Sequence, residues 1–221
     1  MSQNASTAWT GRTPRRLGHG LYAITDGPRA DLLPAAREAL EGGAAMLQYR
    51  DKTRDAARRL HEARALKALC AEFGVPLIIN DDVELARASA AAGVHLGEDD
   101  PAIAEARTAL GSGAIIGVSC YDSLRRAHDA AGAGADYLAF GAFFPSITKP
   151  GARHAKPGLL RDARAFGLPL VAIGGITPEN GGSLVAAGAD FLAVISALFG
   201  ARDVRTAASG FAALFQTRDK T

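Results

Sequence analysis

Residues 169–196 read PLVAIGGITPENGGSLVAAGADFLAVIS. An apolar run of strand length (169–174) ends on the pair Gly174-Gly175. A stretch rich in small residues follows, and Gly188-Ala189-Asp190 then leads into a second apolar run at 190–196. Strand, glycine turn, helix, strand is one β/α unit, and the rest of the chain repeats it. Working back toward the N-terminus, comparable runs stand at 136–141 (DYLAFG), 114–119 (AIIGVS), 93–97 (GVHLG), 75–80 (VPLIIN), 44–50 (AAMLQYR) and 20–25 (GLYAIT). That makes eight expected strands.

The stretches between them carry helical spacing. In 54–73, Leu60, Ala63, Leu66, Leu69 and Cys70 fall on one face, while Arg58, Arg59, Glu62 and Lys67 fall on others. Gly74 is expected to stop this helix and Pro76 to open the next strand. A glycine precedes every second strand, at Gly43, Gly93, Gly134 and Gly188, and each is read as a cap on the helix before it. Repetition at alternate strands suits a closed barrel, whose interior layers are supplied by alternate strands. An open doubly wound sheet would instead need a glycine-rich fingerprint after the first strand, and Thr25-Asp26-Gly27-Pro28-Arg29 is not one. The sequence therefore predicts an α/β fold, a single (β/α)8 TIM barrel over residues 18–218.

Composition narrows the function classes. The chain of 221 residues is 48% hydrophobic, 22% charged and only 6% aromatic, as expected for buried parallel strands. Its net charge of +2 gives no reason to expect nucleic acid, so any functional positive charge has to be local. Two cysteines, Cys70 and Cys120, suggest neither a disulfide framework nor a zinc site, and a reducing cytoplasm is the expected location. No apolar run is long enough for a membrane span. Residues 1–17 (MSQNASTAWTGRTPRRL) are polar, lack acids and have no apolar core, so they read as a disordered tail rather than a secretory signal.

In such barrels the chemistry lies at the C-terminal ends of the strands. In order these ends are Thr25-Asp26, Gln48-Tyr49-Arg50-Asp51-Lys52, Asn80-Asp81-Asp82, Glu98-Asp99-Asp100, Ser119, Ser146-Ile147-Thr148-Lys149, Gly174-Gly175-Ile176-Thr177 and Ile195-Ser196. Gly174-Gly175 and Ser196, after strands seven and eight, fit a phosphate nest; the alternative is a glycine turn without a ligand. Asp81 and Asp100 end adjacent strands, and with diphosphate oxygens they would form a Mg2+ site; Asp82 and Asp99 are read as helix caps or solvated acids. Arg50, Lys52 and Lys149 supply counter-charge. Residues 145–157 (PSITKPGARHAKP) add Arg153, His154 and Lys156 without an acid, and are read as a lid, a solvated basic loop being the alternative. No nucleophile–base pair stands out. Ser119 has no obvious histidine partner by position, Cys120 is read as packing, and His95 as a residue of the barrel interior. Cations, metal ligands and amides suit electrostatic stabilisation of a departing diphosphate.

Five motifs in order, Gln48-Tyr49-Arg50-Asp51-Lys52, Asn80-Asp81-Asp82, Gly93-Val94-His95-Leu96-Gly97 leading to Asp100, Ser146-Ile147-Thr148-Lys149-Pro150, and Ala172-Ile173-Gly174-Gly175-Ile176, resemble the thiamine-phosphate synthase family over residues 20–200. The resemblance implies a Mg2+-dependent transferase that joins hydroxymethylpyrimidine diphosphate to a thiazole phosphate and releases diphosphate. It implies that Gln48, Tyr49, Arg50, Asp51, Lys52, Asn80, Ser119 and Lys149 bind the pyrimidine diphosphate. Of these, Lys149, Arg50, Lys52 and Ser119 would act in catalysis. Asp81 and Asp100 would bind Mg2+, and Ser146, Ile147, Thr148, Gly175, Ile195 and Ser196 would hold the thiazole phosphate. It also implies a dissociative reaction in which the aminopyrimidine stabilises a methylene cation before the thiazole nitrogen attacks. Two positions depart from the family pattern: Glu98 replaces a usual Gln and Ser146 a usual Thr. The rival readings are a thiazole tautomerase-like paralogue, which needs no diphosphate cradle, and a non-catalytic phosphate-binding barrel, which needs no metal pair. Partners are expected to be small-molecule substrates, with no nucleic acid and no membrane, and a homo-oligomer is left open.

Overall fold

The computed structural model describes residues 17–98, 102–145 and 155–216. Eight parallel strands close on themselves in sequence order. They are β1 (Gly20–Ile24), β2 (Ala44–Tyr49), β3 (Leu77–Asn80), β4 (Gly93–Leu96), β5 (Ile115–Tyr121), β6 (Tyr137–Phe140), β7 (Leu170–Ile173) and β8 (Phe191–Val194). The helices between and after them are α1 (Leu32–Glu41), α2 (Ala56–Glu72), α3 (Val83–Ser89), α4 (Ile103–Leu110), α5 (Leu124–Gly132), α6 (Gly158–Ala163), α7 (Pro178–Ala187), α8 (Ser196–Phe199) and α9 (Val204–Ala213). The (β/α)8 barrel and all eight expected strands are therefore present. The expected tail at residues 1–17 falls, but for Leu17, outside the described residues.

Alternation along each strand divides the apolar residues into two cores. Tyr22, Ile24, Met46, Ile78, Tyr137 and Phe191 are among those that fill the barrel interior. Their neighbours Leu21, Ala23, Leu47, Leu77, Ile79 and Leu138 face outward and join the helices in a larger shell. Both faces of every strand are thus buried, which is why the strands read as unbroken apolar runs. Helix α2 contributes Ala63, Leu66, Leu69 and Cys70 to the shell, the face its spacing predicts.

Gly93 is a correction. It opens β4 instead of capping a helix; α3 ends on Ala90, in the left-handed conformation (φ 54°). A side chain at position 93 would place its Cβ 1.8 Å from the Ile115 carbonyl oxygen, so glycine is required by the close approach of β5. Gly188 does cap α7 in the left-handed region (φ 113°).

Candidate active site

Alternation first sorts the end of β2. Gln48 points into the barrel, where its amide donates to the Tyr22 hydroxyl (2.7 Å). Tyr49 faces the outer shell and donates to Glu62 on α2 (2.6 Å). Arg50 is pinned by its backbone at the lip: its N–H donates to Thr25 Oγ1 (2.8 Å) and its carbonyl accepts from the same hydroxyl (3.2 Å). Its guanidinium makes no hydrogen bond or ion pair among the described residues, which leaves a cation available to an anionic ligand. Asp51 turns away from the mouth. Its fully buried carboxylate accepts from the Thr53 N–H (2.8 Å) and pairs with Arg58 (2.7 Å). Burial alone would raise its pKa, but the Thr53 hydrogen bonds and the Arg58 guanidinium outweigh that and hold it below the usual value. Arg58 also grips Glu62 (3.0 Å) and the Thr53 hydroxyl (2.6 Å), so the segment carrying Arg50 and Lys52 is braced against α2.

Asp81 follows β3 directly, with a left-handed backbone (φ 62°) and its N–H donating to the His95 carbonyl on β4 (2.8 Å). Its carboxylate accepts from the Asn80 amide (2.6 Å) and pairs with Lys52. Of its two readings, cap or solvated acid, Asp82 takes the first: it accepts from Leu85 N–H (2.8 Å) at the start of α3 and pairs with Arg59 (3.0 Å). Glu98 is exposed, and Asp99 and Asp100 lie outside the described residues. No group of three potential metal ligands forms among the described residues. The donor at hand is nevertheless suitable for Mg2+, a hard cation commonly held by one or two carboxylates together with substrate phosphates.

Ser119 lies where β5 bulges, between the register positions of Ser119 and Tyr121. Its Oγ is 2.9 Å from His95 Nε2, a partner that position along the chain does not reveal. Arg126, which the sequence reading also misses, donates to the carbonyls of Ser119 (2.6 Å) and Gly97 (2.8 Å). It lies over the Tyr121 ring at 5.7 Å and so ties the ends of β4 and β5 together. Cys120 points into the shell, and burial pushes its thiol up to about 12, consistent with packing rather than chemistry.

Across the mouth, Gly174 (φ 104°) and Gly175 (φ 64°) lead out of β7. A Cβ on Gly175 would come within 2.3 Å of the Pro145 carbonyl, so the turn has no room for a side chain. The Phe143 and Phe144 N–H groups donate to the carbonyls of Ile173 (3.1 Å) and Gly174 (3.0 Å), lacing the β6 and β7 loops together. Asn180 donates to the Gly175 carbonyl (3.0 Å) and accepts from the Thr177 N–H (2.9 Å). Ile195 packs on the interior core, and Ser196 begins α8 beside it. Arg29 donates to the Phe199 carbonyl at the other end of α8 (2.9 Å). Ser146, Ile147, Thr148 and Lys149, with the expected lid, fall outside the described residues apart from the ends of that segment.

The side chains that meet the mouth are therefore Gln48, Arg50, Lys52, Asn80, Asp81 and Ser119, while those of Tyr49 and Asp51 brace it from behind. The sequence matches the family description "Thiamine monophosphate synthase" over residues 21–198. The thiamine-phosphate synthase of Azoarcus sp. is 56% identical over 199 residues, which cover 89% of this chain and 97% of that one. That of Nitrosococcus oceani is 54% identical over 196 residues, covering 87% of this chain and 90% of the other. Among solved structures, thiamine phosphate pyrophosphorylase from Pyrococcus furiosus superposes with a TM-score of 0.83 at 36% identity, covering 91% of this chain and 98% of that one.

Proposed function

Because the chain belongs to the thiamine monophosphate synthase family, we propose a division of labour in its mouth that performs the family's transfer. The reaction is that of a thiamine-phosphate synthase: the hydroxymethylpyrimidine group passes from its diphosphate to the nitrogen of a thiazole phosphate, and diphosphate is released. Gln48, Asn80 and Ser119 grip the pyrimidine. Arg50, Lys52 and Lys149 face the diphosphate. Ser146, Ile147, Thr148, Gly175, Ile195 and Ser196 hold the thiazole phosphate. Tyr49 and Asp51 serve the pyrimidine diphosphate by fixing the segment from which Arg50 and Lys52 project. Asp81 and Asp100 would hold Mg2+, which when bound neutralises charge on the diphosphate.

As the carbon–oxygen bond breaks, its electron pair goes to the diphosphate, and the interaction with Arg50, Lys52 and Lys149 strengthens as charge develops. The electron-rich aminopyrimidine carries the resulting cation until the thiazole nitrogen attacks with its lone pair. No proton has to be removed from that nitrogen, so no general base is required. The enzyme takes small-molecule substrates and works in the cytoplasm; among the described residues no helix is long and apolar enough to cross a membrane.

The observation that carries this reading is the Arg50 guanidinium, without a hydrogen bond or ion pair among the described residues, at the same lip as the Lys52–Asp81 pair, cation and carboxylate where a metal diphosphate would dock. A tautomerase would have no use for that lip. The test is a coupling assay with both substrates, with and without Mg2+. Thiamine phosphate and diphosphate should appear in equal amounts and only with the metal. Conversion of the thiazole phosphate alone would favour the isomerase instead.

A further inference from the structure

Five polar side chains form one hydrogen-bonded file through the barrel interior. Gln48 Nε2 donates to the Tyr22 hydroxyl at 2.7 Å, and the Tyr22 and Tyr137 hydroxyls lie 2.8 Å apart. The Tyr137 hydroxyl is 2.9 Å from His95 Nδ1, and His95 Nε2 is 2.9 Å from Ser119 Oγ. Tyr22, Gln48 and Tyr137 are 1%, 2% and 0% exposed, so no solvent is at hand to satisfy a stray proton. Space for the file is built into the sequence: a Cβ on Gly117 would lie 1.8 Å from Tyr137 Cζ. The His95 and Tyr137 rings stack at 5.6 Å, and Tyr22 meets Tyr137 edge-on at 5.9 Å.

Leaving a buried polar group unpaired costs about 1–3 kcal/mol, so with the Gln48 amide donating through Nε2 and His95 neutral, the direction of each bond in the file follows. Tyr22 accepts from Gln48 and must donate to Tyr137. Tyr137 must then donate to His95 Nδ1, which has to be the unprotonated nitrogen. The histidine proton accordingly sits on Nε2 and is given to Ser119 Oγ. Burial raises the pKa of both tyrosines, so their hydroxyls stay protonated.

We infer that this file is directional and sets what the mouth can recognise: Gln48 is left presenting its carbonyl oxygen as an acceptor, and Ser119 its hydroxyl as a donor. Tyr22, Tyr137 and His95 are positioning residues, acting on the ligand only through the two ends. The inference rests on the proposed placement of the pyrimidine against Gln48 and Ser119. An aminopyrimidine edge offers an N–H donor and a ring-nitrogen acceptor, which matches these ends. Its oxo counterpart exchanges them, offering a carbonyl acceptor and a ring N–H donor. To take the oxo ring, the Gln48 amide, both tyrosine hydroxyls and the His95 tautomer would all have to reverse together. The same direction makes His95 a donor to Ser119 and not its base, so the pair is not a nucleophile dyad.

Two measurements decide the matter. Long-range proton–nitrogen NMR of the ligand-free protein, with His95 assigned by His95→Gln, should show the Nε2–H tautomer. Calorimetric titration with the phosphate esters of the aminopyrimidine and of its oxo counterpart should show a preference for the amino form that falls at least tenfold in Tyr137→Phe. Tyr22→Phe, which cuts the file one step earlier, should lower the same preference. An Nδ1–H tautomer in the wild type overturns the direction. An unchanged preference in both Tyr→Phe variants overturns the positioning role and leaves the file as packing. A wild type that binds neither ester overturns the substrate placement instead, and the tautomer still decides the direction of the file.

Discussion

Gly117 has a strand backbone open to any residue, yet the space a methyl group would take is filled by the Tyr137 ring, 1.8 Å from an added Cβ. Alanine is the better strand former, so on propensity alone Gly117→Ala should stabilise β5 slightly. Sterics decide the other way. Overpacking of a closed interior costs about 1–3 kcal/mol, and we expect Gly117→Ala to lower the urea midpoint accordingly without changing the m-value. A midpoint at or above wild type would show that the Tyr137 ring can move aside at no cost. At this scale the sequence is partly legible. Asp82 reads as a cap or a solvated acid and His95 as an interior residue because each follows from position on its own element. The His95–Ser119 contact joins residues 24 apart on neighbouring strands, and only the register of β4 against β5 brings them together. Tyr49 and Asp51 carry a signal that the motif reading passes over: with Gln48 inside, alternation puts Tyr49 outside.

The elements themselves are legible because parallel strands covered on both faces leave uninterrupted apolar runs, and because α2 shows one apolar face. What periodicity does not show is the bulge that carries β5 on to Tyr121, since it comes from pairing with β6. Nor does it show the brace between β2 and α2, in which Asp51, Arg58, Glu62 and Thr53 share one network. That brace makes a pH prediction. Asp51 has a pKa below the ordinary carboxylate value, so its contribution to stability is complete above the unfolded value of roughly pH 4. It is lost as the pH falls through the lower, folded value. Asp51→Asn should therefore reduce Tm at neutral pH and lose less further stability than wild type as the pH drops below about 4. Thermal melts from pH 7 to pH 2.5 would check this, and parallel curves for the two proteins would remove Asp51 from the acid limb.

Across the whole molecule, the two ends of the barrel hold opposite kinds of residue. Phe191 is the first residue of β8, fully buried in the interior core and far along its strand from the lip. Arg50 stands at the lip with its backbone held by Thr25 and its guanidinium unengaged among the described residues. Removing the phenyl group leaves a cavity that the surrounding strands cannot close, at a cost of about 3–5 kcal/mol. Removing the guanidinium takes away no hydrogen bond or ion pair among the described residues, so Arg50→Ala should leave the stability of the free enzyme unchanged within about 0.5 kcal/mol. Its effect should appear in turnover: loss of one donor aimed at developing charge costs about a hundredfold or more in kcat. Ligand linkage separates the two cases further. Pyrimidine diphosphate at a hundred times its Kd should stabilise wild type by about 2.7 kcal/mol through mass action. Phe191→Ala should keep that increment on a lower baseline, because the mouth is intact. Arg50→Ala should lose most of it on an unchanged baseline at the same ligand concentration. Denaturant titrations of the three proteins, with and without ligand, give all six numbers. An Arg50→Ala protein that is destabilised when free, or that keeps the full ligand increment, would mean that Arg50 holds the barrel together and does not meet the diphosphate.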